Sequence, residues 1–403
     1  MKLRPASLRS NRRNTQDDQQ NNQVLHAAIN LVTIVTILVA SGLVMLYSAS
    51  YGRAGMKFFS NQLIWVSLGL AGAAAVFVIG YRKMAELSLI WMSLSFFALV
   101  SCLFFKPING AHRWIQFGSF SIQPSEFAKV AVALFIAKYC SDHAWTFAKL
   151  KAQNGLLKLG TVLFLVIAAI LAGRDLGTTA LISWTAVLSL LAAGLYFRYL
   201  IVPAIGAGLV SLYVYFCDAE RLARATSFMN PEQVQQGEGY QLWNSLLALG
   251  SGNWLGIGFM ESRMKARYLP EAHTDFILAI IGEELGFIAI LLIIVLYTAF
   301  CVNAVKISLR AYSRLGTLLG FALCCGITFQ AAINLLVVSG TAPTKGMPAP
   351  FVSYGGSNMI ASLIAVGLLV SIASEAYDPD GDKYIRESIV NKIFFLFRKK
   401  KKN

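Results

Sequence analysis

The stretch Lys265-Ala-Arg-Tyr-Leu-Pro-Glu-Ala-His-Thr-Asp-Phe-Ile-Leu-Ala-Ile-Ile-Gly-Glu-Glu-Leu-Gly286 changes character half-way along. Its first half is polar and carries Lys265, Arg267, Glu271, His273 and Asp275. From Phe276 to about Cys301 it is apolar, interrupted by Glu283 and Glu284. One carboxylate therefore stands at the edge of a membrane-length run and two more lie inside it. A charged side chain at a bilayer centre costs about 3 kcal/mol on insertion scales, so such residues face a wet cavity or a partner. The pattern is that of a site at a membrane boundary.

Working outward, apolar runs of similar length recur along all 403 residues, of which 56% are hydrophobic and only 14% charged. One or two such runs fit a buried core; this many require a polytopic, all-α membrane protein. Ten spans are expected, at residues 24–47, 63–80, 87–105, 127–139, 159–171, 176–195, 199–216, 276–301, 315–339 and 353–374. The net charge of +15 resembles a nucleic-acid signal until it is mapped. It concentrates in the tails and in alternate connections, at Arg82-Lys83, Lys149 to Lys158, Arg198 and Lys306 to Arg314. That is positive-inside topology rather than a nucleic-acid surface. With an even count, both termini are cytoplasmic. Residues 1–23 then form a disordered basic tail with no apolar leader, 24–376 the membrane domain, and 377–403 a second basic tail. One large outer loop spans 217–275, too long for a passive link. The six cysteines lie in or beside apolar runs without metal-type spacing, and only Cys217 approaches a water-facing loop.

Other outer connections are polar in a patterned way. In Gln123-Pro-Ser-Glu-Phe-Ala-Lys129, Pro124 suits a helix start, and Glu126 and Lys129 share one face. They read either as a structural ion pair or as a headgroup contact, with Arg113 of Asn109-Gly-Ala-His-Arg-Trp-Ile115 as a second candidate cation. Gly173-Arg-Asp-Leu-Gly-Thr178 reads as a tight turn or a ligand contact. The prolines and glycines of Ser339 to Ser357 impose a fixed backbone around Lys345, which is either a solvated charge or a phosphate ligand. No dinucleotide fingerprint, P-loop or metalloprotease motif is present, so nucleotide chemistry has no support.

Leu269-Pro-Glu-Ala-His-Thr-Asp-Phe-Ile-Leu-Ala-Ile-Ile-Gly-Glu-Glu-Leu-Gly286, Pro343-Thr-Lys-Gly-Met-Pro-Ala-Pro-Phe-Val-Ser-Tyr-Gly-Gly-Ser-Asn358, Asn109 to Gly118, Gln123 to Lys129 and Gly239 to Gly252 occur in family order. Through them the chain resembles the SEDS proteins (shape, elongation, division and sporulation), from about Ile29 to Ser374. Its Glu271-Ala-His-Thr-Asp275 form, Pro-Thr-Lys-Gly loop and long N-terminal tail are closer to the division branch than to the elongation branch. It departs from the family at Arg174, where Pro usually precedes the Asp, and at Gly258-Phe-Met-Glu-Ser262. The resemblance implies a peptidoglycan glycosyltransferase that polymerises lipid II at the outer face of the bacterial cytoplasmic membrane, at the division septum.

It also implies Asp275 as the catalytic base. Lys345, Arg113, Lys129, Glu126, Ser125, Gln241, Glu271, His273 and Ser353 stand at implied substrate-contact positions. The helix start after Asp275 is expected to favour its ionised form, and an N-cap role for Asp275 or Thr274 stands beside catalysis. Glu283 and Glu284 are expected to satisfy an inner polar cavity. A divalent cation, Mg2+ or Mn2+, has a chemical place as a Lewis acid but no assigned ligands. The implied partners are lipid II, a class B penicillin-binding protein, other division proteins and membrane lipids. Two other readings compete, a flippase for the same lipid and a division scaffold.

Overall fold

The computed structural model describes residues 6–108, 110–117, 120–143, 153–201 and 239–382, with isolated positions 228, 232, 237, 386 and 388. The helices are α1 (Ala6–Ala54), α2 (Lys57–Ile79), α3 (Tyr81–Glu86), α4 (Ser88–Cys102), α5 (Pro124–Asp142), α6 (Gln153–Ala172), α7 (Leu176–Ala192), α8 (Tyr240–Ser251), α9 (Met264–Arg267), α10 (Ile277–Leu309), α11 (Arg314–Val338) and α12 (Gly356–Tyr377). A two-stranded antiparallel hairpin, β1 (Ile115–Phe117) with β2 (Phe120–Ile122), leads into α5.

Six of these helices are long and apolar enough to cross a membrane, and α4 and α7 are shorter apolar helices. With α5, nine of the expected spans coincide with described helices. Most of the seventh, 199–216, lies outside the described residues, as do the loop's first part with Cys217 and the end of the C-terminal tail. This is a multi-pass membrane protein. Helix α1 begins inside the segment expected to be disordered, because no Pro or Gly follows Pro5 until Gly42 to interrupt it.

The bundle is built around α12 and α11, whose apolar windows are 67% and 56% buried, whereas α2, α6 and α10 bury 28% and turn the rest outward. Small residues let α2 and α12 approach closely. A Cβ on Gly367 of α12 would collide with the Ala73 backbone of α2, and one on Gly69 with Leu363. Trp65 lies beside Gly356 and Ala73 beside Gly367, so α2 and α12 run parallel and end on one side. There Arg82 pairs with Glu375 at 2.6 Å, and Arg386 donates to Asp382 and to the Phe77 carbonyl that closes α2. The connections at Arg82-Lys83 and at Arg310 to Arg314 lie at this end, where Tyr81 hydrogen-bonds Ser313, and positive-inside topology assigns it to the cytoplasm.

The opposite end depends on a break in α10. Gly286 has φ 80°, outside helical space and easy only for glycine. The break is filled by the loop that precedes it in sequence. Phe287 and Ile288 donate their amides to the carbonyls of Asn253 and Trp254, and Ile257 and Gly258 donate to Glu283 and Glu284. Glycine is required at 252 and 256, because a Cβ at either would strike the backbone of Gly282 or Glu284.

Both acids of α10 therefore have a different role from the one expected of them. Glu283 accepts from the Ser262 hydroxyl and from the amides of Arg263 and Met264. Glu284 accepts from Ser48 of α1 at 2.7 Å, from the Met260 amide and from Lys265. Among the described residues their partners come from the loop and from Ser48 of α1 rather than from an inner cavity. They hold the loop to the outer end of the bundle, because its amides and its lysine offer complete partners for a buried carboxylate.

Candidate active site

Four outer segments meet over the end of the bundle. Helix α5 starts after Gln123, whose amide N–H donates to Ser357 at the start of α12. Between α6 and α7, His112 donates its amide to the Gly173 carbonyl, an approach that a Cβ at 173 would prevent. Arg174 follows at φ 61°. Asp175 then caps α7 through the Thr178 amide, and its other oxygen takes the side chains of Gln123 and Ser125, each at 3.1 Å. Arg113 closes on Asp175 at 3.8 Å. The turn reading of this segment holds, and Asp175, which composition alone left as half of an Arg–Asp pair, is its organising side chain. Ser125 lies in that network.

Asp275 stands one residue before the first-turn cap of α10, which is Phe276 and has no side-chain cap. Thr274 donates instead to Glu271 at 2.6 Å. Neither N-cap reading applies, so the Asp275 carboxylate is left for other work. Its Oδ2 lies against Gly346, where a Cβ would come within 3.0 Å. Burial raises the Asp275 pKa to about 7; Glu271 pushes the same way, and Arg113 pulls it down. This is the opposite sign from that expected of the helix start alone, because lost hydration outweighs the helix end. Lys345 precedes Gly346 in the chain, and its ammonium is within electrostatic reach of Asp175. Lost hydration lowers its ammonium pKa, with Asp175 opposing.

The remaining expected residues are distributed around this centre. Lys129 pairs with Glu126 at 2.6 Å and donates to Gln330 of α11. All three line a cavity between α5, α7, α11 and α12, whose other walls are mostly apolar. His273 packs on Phe58 at 4.4 Å between ring centres, and its carbonyl accepts the Tyr354 amide. Ser353 is buried, and its hydroxyl accepts the Ala349 amide inside the Pro-rich loop. Gln241 is half-buried at the start of α8, and no hydrogen bond among the described residues ties it to the Asp275 segment. Asn109 lies outside the described residues.

A profile of the FtsW/RodA/SpoVE family, described as cell cycle proteins, matches residues 28–378. The chain belongs to this family. A probable peptidoglycan glycosyltransferase FtsW of Trichlorobacter lovleyi is 35% identical over 357 residues, covering 85% of this chain and 92% of that one. Stage V sporulation protein E of Bacillus subtilis is 34% identical over 354 residues, covering 85% and 96%. The rod shape determining protein RodA of Thermus thermophilus superposes with a TM-score of 0.65 at 24% identity, over 86% of this chain and 97% of that one. A chain from a peptidoglycan synthase complex that coordinates polymerization and crosslinking gives 0.71 at 24%, over 86% and 98%. At that identity the structures carry the fold.

Among the described residues no three His, Cys, Asp or Glu side chains converge as ligands. Motif reading missed Gln123, Gln330 and Asn334. The last two are amides four apart within an apolar span, and such intramembrane polar residues are a signal in their own right.

Proposed function

We propose that this protein is a peptidoglycan glycosyltransferase that polymerises lipid II at the outer face of the cytoplasmic membrane during septal wall synthesis. The observation that carries the reading is the Asp275 carboxylate against Gly346, with Arg113 in electrostatic reach of it and Lys345 the residue before that glycine. Asp275 takes the proton of the acceptor sugar 4-hydroxyl. The freed oxygen bonds to C1 of the donor, the C1–O bond to the diphosphate breaks, and undecaprenyl diphosphate leaves with the electron pair. A single displacement inverts C1. Burial lifts the Asp275 pKa towards neutrality, into the range where a general base is effective. Arg113 and Lys345 face the developing charge of the diphosphate, whereas Lys129 is held deeper by Glu126.

The relatives named FtsW, at 34–35% identity, favour the division role over an elongation role. A class B penicillin-binding protein is the proposed partner, in line with the synthase complex whose chain shares the fold. The flippase reading requires a polar path, yet Glu283 and Glu284 are bound to the loop, and the cavity at Lys129 is largely apolar.

Purified protein in detergent, given lipid II with no second compartment, tests both readings. Glycan strands from the wild type, and a loss of at least about 100-fold in Asp275→Asn, are expected. No polymer from the wild type, with lipid movement intact in vesicles, rejects the enzyme.

A further inference from the structure

Asn334 lies on α11 four residues before its outer end and is 1% exposed. Its Nδ2 donates to the backbone carbonyl of Asp275 at 2.8 Å and to that of Met347 at 2.7 Å. Two carbonyl acceptors can be met only by the nitrogen of a carboxamide, so the orientation of the group is set. Its Oδ1 has no partner among the described residues. Two other buried asparagines, Asn244 and Asn303, bond back to carbonyls of their own helices. Asn334 instead bridges two segments that lie far apart in sequence, and leaves one acceptor unmet to do so. One turn earlier, Gln330 donates to the Pro348 carbonyl at 2.9 Å, so α11 grips successive carbonyls of the Pro-rich loop. Between those held carbonyls and Lys345 lies Gly346, the residue against which Asp275 rests.

We propose that Asn334 is a positioning residue that sets the spacing between the Asp275 carboxylate and the Lys345 ammonium by holding both backbones on one nitrogen. The proposal rests on the glycosyltransferase reading and deepens it. Proton removal at the acceptor and charge stabilisation at the leaving group occur in one transition state, so base and cation must be held at a fixed distance. A displacement near 1 Å costs such an arrangement on the order of 100-fold in rate. Asn334 touches no reacting atom; it acts through the two loops.

The test uses full-length protein in detergent, as wild type, Asn334→Leu, Asn334→Asp and Asn334→Gln. Asn303→Leu, which removes a buried amide from the neighbouring helix, serves as control. Hydrogen–deuterium exchange reads the backbone without any need for activity. In Asn334→Leu and Asn334→Asp, residues 271–276 and 345–349 should lose protection together while α2 and α12 keep theirs. In lipid II polymerisation, kcat should fall by about 100-fold with KM within about twofold of wild type. Asn334→Gln, which keeps both donors, should recover part of kcat, and Asn303→Leu should retain it.

Unchanged protection in both segments overturns the proposal, as does a loss of kcat that Asn303→Leu reproduces at equal thermal stability. A wild type that makes no polymer defeats the glycosyltransferase reading instead, and the exchange result still decides whether the clamp exists.

Discussion

At the scale of single residues, the acid at 275 shows what a motif conveys and what it omits. Its place before a span and beside Glu271 was legible in the sequence, but its ionisation was not. The helix start favours the charged form; the folded surroundings reverse it, because burial costs the charge its hydration, with Gly346, far along the chain, standing against the carboxyl. A base must be ionised to act, so a pKa near 7 makes the rate fall about tenfold for each pH unit below that point. The neighbours then predict opposite displacements. Glu271→Gln removes the like charge that raises the Asp275 pKa, so the acid limb of kcat/KM moves to lower pH. Arg113→Gln removes the opposite charge that lowers it, so the limb moves to higher pH. Profiles of both variants from pH 5 to 9 check the pair of signs. Identical limbs in the two would show that another group titrates. Arg174 carries a related lesson. At φ 61° it adopts a conformation closed to a proline ring, so this turn cannot be the one that the usual Pro would form.

At the scale of elements, the eighth span illustrates why periodicity finds helices and not their interruptions. Residues 276–301 read as one apolar run with two misplaced acids, and the helix does exist there. Nothing in the run itself reveals that Gly286 opens it, because the groups that fill the opening come from Asn253 to Gly258. Once the break is seen, Glu283 and Glu284 are the expected residues, since a loop lying against a buried surface brings amides that need acceptors. Lys265 and Glu284 are 14% and 0% exposed, so removing one partner strands a buried charge. Glu284→Ala should therefore destabilise the protein by about 3–5 kcal/mol, seen as a lower melting temperature in detergent at a fixed scan rate. The double variant Lys265→Met/Glu284→Gln should recover much of that loss, since neither charge is then left alone. Equal melting temperatures for wild type and Glu284→Ala would mean that the ion pair does not hold the loop.

At the scale of the molecule, orientation decides whether the chemistry is possible, because the Asp275 site must face the side where the wall is built. The charge pattern sets which end is inside, and the fold places the site at the other end. Charge in the sequence puts Arg82-Lys83 and Lys306 to Arg314 inside. In the fold, α2 and α12 end together beside Arg82, Glu375 and Arg386, while Asp275, Arg113 and Lys345 gather at the other end. Cysteine labelling in spheroplasts resolves it directly. Cys217, outside the described residues, is first replaced by Ser; the other five cysteines are free and lie buried or half-buried in helices. Glu261→Cys then samples the exposed outer loop, and Tyr312→Cys the turn between α10 and α11, where the tyrosine is 67% exposed. A membrane-impermeant maleimide should label position 261 in intact spheroplasts and position 312 only after permeabilisation. The reverse pattern would put the carboxylate and its cations in the cytoplasm. Because a strand made there would lie on the wrong side of the membrane from the wall, that single result would remove the polymerase reading, whatever the geometry of the site.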